Sequence, residues 1–471
     1  MRSSHKASAL RTRGRVSVVA AVLLVMILAV RLVAVLIYTP PVTDDQAGYE
    51  ASAYRLATIG SFAYPTAWSE AWSSSPDGLV VDKAGRQALA GEPRNAQYMP
   101  GYPAFRAAIL KLVGDGEQWR LWTRISQAVL SVLGALLIYL LARRYSERAG
   151  VLALLISLLY QPLITSNSLL LTEVLFTYLL VACVYCVVLW SEHRVIGRAS
   201  AVGLFLGLAF WVRPTVLPWA ALVAIIAVVY YRSERRGVVL QIAIAGLVAI
   251  AIMCPWWIRN YEVYRRFVPL STIGTTAAIV GIQIDATHQW PFPWQSHGPQ
   301  PTSEQFAIQE LTARALETTK ETKQRGDLAV SDAQSAQFKH LLSEILHEHL
   351  VPALRLRLRS ILVAFAQPYA YVKWSLWYSA LTGILHYLLL GAFIPAVFIF
   401  RRRLDALIVG SLPLYLIAIH AIILPFNRYV FPAMPFVVIL AAALIDRLIS
   451  RRVDLAAISR TQRPTPCLPE S

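Results

Sequence analysis

Two carboxylates, Asp44 and Asp45, stand side by side in the stretch Val42 to Pro65, directly after an apolar run. Further along, single ionisable residues interrupt apolar and aromatic stretches: Glu173 in "LLLTEVLF", Arg213 in "FWVRPTVLP", Arg259 in "PWWIRNYEVYRRF" and Arg428 in "PFNRYVFPAMP". Ionisable groups are costly at membrane depth, so each needs a physical reason to be there. Carboxylates beside arginines suit displacement at a carbon whose leaving group is a phosphate. Such a leaving group is already acidic; its departure needs cations more than a proton donor, and guanidiniums supply them. The attacking hydroxyl or amine does need activation. A carboxylate within reach can take its proton, typically worth about 10²–10⁴-fold. A sugar carried on a polyprenyl phosphate presents such a bond at a membrane surface, and one base plus several arginines suffices for a single displacement with inversion.

Each residue also has a plainer account. Carboxylates in a first helical turn favour the macrodipole, and Thr43-Asp-Asp-Gln46 matches a capping box in which Thr43 and Gln46 close the helix end. Glu173 follows Thr172 and can be an ordinary N-terminal helix charge. Arginines near helix ends can snorkel to lipid headgroups. His340, His347 and His349 fit a solvated helix face better than a metal site. The aromatic clusters "CPWW", "VKWSLWY" and "HQWPFPW" suit interfacial belts, with sugar stacking an alternative for the last.

The elements that must position these residues are membrane spans. The 471 residues are 56% hydrophobic and 15% charged, with a mean hydropathy of +0.52, a composition uncommon in soluble domains. Ten apolar stretches approach the length needed to cross about 30 Å of hydrocarbon: about 16–38, 120–142, 149–166, 170–190, 198–213, 216–231, 238–257, 379–400, 405–424 and 430–449. The fifth is short enough to be re-entrant. The first lies behind a basic leader but is too long for a signal-peptide core and lacks a small-residue cleavage site, so it is expected to be retained. The formal net charge of +17 does not point to nucleic acid, because the arginines punctuate the apolar runs. Arg143, Arg144 and Arg148, Arg194 and Arg198, Arg232, Arg235 and Arg236, Arg401 to Arg403, and Arg447, Arg451 and Arg452 fall on one side, against Arg213 and Arg428 in the short loops opposite. The positive-inside bias then puts both termini in the cytoplasm.

Two long segments, 39–119 and 258–378, fall outside, and with them the candidate residues converge on the outer leaflet. Amphipathic helices are expected after Pro41 and over Ala104 to Val113, and polar helices over about 303–325 and 333–350. The four cysteines form neither a disulfide framework nor a zinc pattern. No P-loop, dinucleotide fingerprint or Asp-x-Asp is present, so the sugar donor is expected to be lipid-borne. Only the tail after Arg451 reads as disordered.

At these residues the chain resembles the GT-C class of membrane glycosyltransferases. Within it, the chain most resembles the bacterial family 39 branch related to dolichyl-phosphate-mannose protein mannosyltransferases and lipid A aminoarabinose transferases. The carrying pieces are "DDQAGYEASAYRLATIGSFAY", "YMPGYPAF", "LLLTEVLF", "GLAFWVRPT", "PWWIRNYEVYRRFVPLSTIG" and "NRYVFPAMPF". The resemblance implies an all-α polytopic membrane protein with a GT-C fold, about ten transmembrane helices and two large outer loops carrying juxtamembrane helices. It divides the chain into a cytoplasmic leader (1–15), a catalytic transmembrane module (16–257, including the loop 39–119), an outer loop (258–378), C-terminal spans (379–450) and a cytoplasmic tail (451–471).

It further implies Asp44 as the catalytic base, with Asp45, usually Glu in the family, beside it. Glu173, Tyr49, Tyr98 and Tyr102 are expected to position acceptor and donor, and Arg213, Arg259, Arg428 and Tyr429 to hold the carrier phosphate. Tyr98-Met99-Pro100 replaces a Lys-Pro-Pro stretch of the aminoarabinose transferases, so that phosphate contact is absent. The expected partners are a polyprenyl-phosphate sugar, membrane lipids and a lipid, glycan or protein acceptor, at the outer face of a bacterial plasma membrane. No cofactor is required by the sequence, though a divalent metal is compatible with the acidic residues. A carrier-lipid flippase and an inert scaffold with the same fold are the alternatives.

Overall fold

The computed structural model describes residues 2–42, 44–63, 94–114, 117–287, 302–322, 326–366, 368 and 376–461. The expected serine- and proline-rich loop from Trp68 to Gly91 and all of "HQWPFPWQSHGPQP" lie outside these residues. Among the described residues every regular element is helical. Seven helices are long and apolar enough to cross a membrane. They lie within α1 (Arg2–Ile37), α4 (Glu117–Ala142), α7 (Glu173–Glu192), α10 (Arg235–Tyr264), α15 (Leu376–Phe400), α16 (Leu404–Ile422) and α18 (Met434–Thr461). A pair bent by 69°, α5 (Glu147–Leu159) with α6 (Gln161–Thr165), and two shorter apolar helices, α8 (Ile196–Val212) and α9 (Leu217–Tyr230), account for the remaining expected spans. The bend sits at Tyr160, where an extended residue precedes Pro162 in the first turn of α6, a position that tolerates proline because its missing N–H would be unpaired anyway.

The spans differ in how far the protein encloses them. In α18, 83% of the apolar window is buried, against 11% in α10, so α18 is a central column and α10 faces outward. Around α18 the buried core collects Phe176, Leu180 and Val184 of α7, Phe393 of α15 and Val409 and Leu412 of α16. The contact of α8 with α10 rests on small residues. Gly203 and Gly207 stand four apart, and a Cβ on Gly203 would collide with the backbone carbonyl of Ala245, the close approach that such spacing permits between helices in lipid.

Two helical layers lie outside the spans. In the first, α2 (Asp44–Ile59) packs on α3 (Gly101–Val113) around Ala47, Ala51, Tyr54, Ala107, Leu110 and Trp119. The start of α3 abuts the end of α8 so closely that a Cβ on Gly101 would sit 2.7 Å from the Trp211 carbonyl. In the second layer, α11 (Gly274–Thr287), α12 (Ser303–Thr322) and α13 (Asp327–Glu348) bury Ile279, Ala315, Leu341 and Ile345 against one another, and α14 (Leu350–Ala366) follows.

Two differences from expectation have local causes. The seventh span runs on to Tyr264 rather than ending near 257 and stops where Arg265 turns left-handed at φ 52°. The second polar helix starts at Asp327, whose carboxylate in the first turn favours the helix dipole. The expected capping box involves Thr43, which lies outside the described residues; the Gln46 Oε1 accepts from Leu170 N at 2.9 Å and its Nε2 donates to Pro41 O at 3.4 Å.

Candidate active site

One end of the bundle gathers four charged residues and a tyrosine from five separated segments, each at a helix end or in a connection. Asp45 is the second residue of α2, Glu173 the first of α7 and Arg213 the residue that ends α8. Arg428 sits on the one-turn helix α17 (Asn427–Val430), and Tyr98 precedes α3. Helix ends suit this task because the backbone changes direction there and can aim a side chain across the top of the bundle. The two acids also lie in first turns, where the dipole favours them.

Arg428 joins the cluster. Its Nη1 donates to Asp45 Oδ2 at 2.8 Å and its Nε to Glu173 Oε1 at 2.8 Å. Arg213 donates to the same Glu173 oxygen through Nη2 and to Thr172 Oγ1 through Nε at 2.9 Å. Thr172 therefore anchors an arginine and makes no side-chain cap for α7. The other oxygen of Asp45, Oδ1, accepts from the Tyr98 hydroxyl at 2.9 Å. Both Asp45 oxygens are thus held, while its side chain keeps 29% of its exposure against 2% for Glu173. Asp45 is at the mouth of the cluster and Glu173 at its floor.

Aromatic rings set the walls. The Tyr429 ring lies 5.0 Å from the Arg213 guanidinium and 5.2 Å from that of Arg428, and His420 of α16 stacks on it at 5.0 Å. Tyr49 packs edge-on against Tyr98 at 5.2 Å and Tyr102 at 5.3 Å. Burial, reinforced by the Asp45 charge, holds the Tyr49 phenol well above its ordinary value, and burial does the same for Tyr102; both stay neutral. The Tyr102 hydroxyl donates to Gln127 Oε1 at 2.8 Å, and Gln127 Nε2 donates to the carbonyls of Asn167 and Leu169, each at 2.9 Å. Together with the Gln46 bond to Leu170, this fixes the connection that presents Glu173.

The expected residues thus divide. Asp45, Tyr98, Glu173, Arg213, Arg428 and Tyr429 meet directly, with Tyr49 and Tyr102 packed behind Tyr98. The backbone of Asp44 opens α2, but its side chain lies outside the described residues. Arg259 belongs to another group of contacts: it donates to Phe62 O at 2.6 Å and lies 5.1 Å from the Trp256 ring. Nearby, one oxygen of Asp327, Oδ2, accepts from Ala96 N, Thr272 Oγ1 and Tyr264 Oη at 2.9, 2.8 and 2.6 Å, tying the second outer layer to the Tyr98 segment.

Gln46, Gln127, Thr172 and Asp327 position the site; Gln46 carried a spacing signal only for a helix cap, and the other three carried none. His420, a lone histidine in "LIAIHAI", was equally silent. Among the described residues no group of three His, Cys, Asp or Glu side chains could hold a metal ion. The donor set also fits a divalent cation poorly, because Arg428 lies between the two carboxylates, so no step below is routed through one.

Solved structures share this architecture. The archaeal oligosaccharyltransferase AglB from Archaeoglobus fulgidus, in complex with an inhibitory peptide and a dolichol-phosphate, superposes with a TM-score of 0.54 at 13% identity, covering 97% of this chain and 53% of its own. The Archaeoglobus fulgidus oligosaccharyltransferase in complex with zinc and sulfate gives 0.51 at 13% identity, covering 94% of this chain and 51% of its own.

The chain has the GT-C fold.

It spans about half the length of those AglB chains. A structure of ArnT from Cupriavidus metallidurans bound to undecaprenyl phosphate matches with a TM-score of 0.40 at 15% identity, covering 97% of this chain and 82% of that one. Residues 96–258 match the family described as dolichyl-phosphate-mannose-protein mannosyltransferase. That segment includes Tyr98, Tyr102, Glu173 and Arg213, whereas Asp44, Asp45, Arg259 and Arg428 lie outside it. Among curated proteins nothing matches.

Proposed function

We propose that the protein is an inverting glycosyltransferase, moving a sugar from a polyprenyl-phosphate carrier to a lipid, glycan or protein acceptor at the outer face of a bacterial plasma membrane. The observation that carries this reading is the Asp45–Arg428–Glu173–Arg213 cluster at one end of the bundle, with a carboxylate at its accessible mouth and two guanidiniums behind it. The match of residues 96–258 to a mannosyltransferase family supports the same reading.

In this mechanism the acceptor oxygen or nitrogen attacks the anomeric carbon from the face opposite the phosphate. Asp44 takes the acceptor proton as general base, and Asp45, fixed by Tyr98 and Arg428, holds the acceptor in line. The bond from the anomeric carbon to the phosphate oxygen breaks, and its electron pair leaves on the polyprenyl phosphate. Two carboxylates already balance the two guanidiniums, so the incoming phosphate shares their donors with Glu173 and Asp45 and meets a neutral cluster. The guanidinium bonds to phosphate are charge-assisted, as are the carboxylate bonds they share donors with.

The test is transfer of labelled sugar from polyprenyl phosphate by the full-length protein in vesicles. Asp44→Asn is expected to lower transfer by about 10²–10⁴-fold while insertion is unchanged. A fully active Asp44→Asn, Asp45→Asn double variant would overturn the proposal. In a deletion strain, mass spectrometry of lipid-linked sugars is expected to show the donor accumulating.

A further inference from the structure

We infer that the bundle carries a binding site for an anionic glycerophospholipid at the end opposite the candidate active site. Two adjoining spaces make it. The first is an apolar crevice of about 480 Å³ between α7, α8, α9 and α10, lined by Val187, Leu206, Trp219, Val223, Ala224 and Ala245 among others. Its volume falls in the range of sites that enclose small molecules, about 300–1,000 Å³, and its wall is suited only to hydrocarbon. The second, of about 630 Å³, lies in the connection between α9 and α10 and is lined by Arg194, Arg232, Arg235 and Arg236.

Gln241 lines both spaces. It holds the border between them, accepting from Trp190 Nε1 and donating from Nε2 to Arg194 O at 2.8 Å. Apolar chain on one side of that border and a cluster of cations on the other match the two ends of one phospholipid.

Charge complementarity decides the headgroup. Glu234, the acid of the basic space, is committed to Arg194 at 2.5 Å. Arg232, Arg235 and Arg236 are exposed and make no ion pair or side-chain hydrogen bond with the described residues. The positive-inside bias accounts for arginines at this end of the bundle but not for a basic space that shares Gln241 with a hydrocarbon-lined crevice. Basic pockets between spans are a recurrent form of anionic headgroup recognition, and each such cation near the surface contributes about fivefold to binding.

The full-length protein in detergent tests this, with phosphatidylglycerol and phosphatidylcholine of identical acyl chains as probes and native mass spectrometry as readout. Phosphatidylglycerol is expected to bind on the order of tenfold or more tightly. The variant combining Arg232→Gln, Arg235→Gln and Arg236→Gln is expected to lose that preference while its melting temperature without added lipid stays the same. Ala224→Phe, which narrows the crevice, is expected to weaken both lipids. Equal binding of the two lipids, or a preference that survives the triple substitution, would overturn the site. Stabilisation by inorganic phosphate equal to that by phosphatidylglycerol would reduce it to an anion site without a lipid, and displacement of phosphatidylglycerol by undecaprenyl phosphate at lower concentration would assign the crevice to the carrier; either result would overturn the proposal.

Discussion

Two clusters of acid and arginine lie on either side of the same helix, and they differ mainly in what can reach them. On α2, Asp45 meets Arg428 with 29% and 20% of their side chains exposed. Less than a turn and a half further along the helix, Glu50 meets Arg106 at 2.7 Å and Arg120 at 2.6 Å, with Glu50 4% and Arg106 0% exposed. Burial alone would raise the Glu50 carboxyl, but the charges of Arg106 and Arg120 and their hydrogen bonds outweigh it and hold it below its ordinary value. The Arg106 guanidinium also lies 4.7 Å from the Trp119 ring, and the Trp119 indole donates to its backbone carbonyl at 3.0 Å. The sealed cluster joins α2, α3 and α4; the open one leaves a carboxylate within reach of a ligand. Ionic chemistry alone therefore does not mark a catalytic site, whereas access does.

Breaking the sealed cluster is expected to have the largest effect. Glu50→Gln leaves a buried guanidinium without its charge partner, and removing one member of such a pair costs about 3–5 kcal/mol. The variant should fail to accumulate as a monodisperse peak in size-exclusion chromatography. Because the Glu50 carboxyl is depressed in the folded state, its contribution is present at neutral pH and lost as pH falls below the ordinary glutamate range.

The open cluster should respond the other way. Asp45→Asn is expected to cut sugar transfer by at least about tenfold, the loss of one charged contact, while thermal stability changes by no more than about 1 kcal/mol, as for other accessible pairs. A variant that unfolds as readily as Glu50→Gln would erase the distinction between the clusters.

Arg428→Lys sharpens it further. A single ammonium is poorly matched to carboxylates bonded separately to Nε and Nη1, so transfer should fall roughly tenfold, with KM for the carrier rising more than kcat falls.

A third pair, in the second helical layer, sharpens the comparison through pH rather than access. Asp285 on α11 meets Arg357 on α14 at 2.7 Å, and burial pushes its carboxyl from the ordinary 3.8 up to about 6 despite that partner. A raised carboxyl favours the protonated folded state, so stability falls as pH rises from about 4 to about 6 and then levels off, by up to about 3 kcal/mol. Asp285→Asn should flatten the melting temperature across that window.

How much was legible follows from the range of each signal. Apolar run length is local, and the expected stretches correspond to helices, including the short fifth at Ile196–Val212, with the third, 149–166, broken into a bent pair. The resemblance placed Asp45, Tyr98, Glu173, Arg213, Arg428 and Tyr429 in one site, and these residues do meet. Helices α11 and α14 were not foreseen, because their short apolar stretches are neither long enough to span nor polar enough to read as surface helices. Arg259 belongs to a separate knot, and Gln46, expected to cap its own helix, reaches Leu170.

The sequence by itself determined the apolar helices and the short connections in which arginine is scarce, because hydrophobicity and helix ends are properties of contiguous residues. Only the tertiary structure decided which acid meets which arginine. The bond from Arg428 to Asp45 closes 383 residues of chain, and that from Arg213 to Glu173 closes 40. No periodicity extends over such distances. These partners are selected by the packing of α7, α8, α16 and α18, which sets the ends of four helices at one level and leaves one carboxylate accessible.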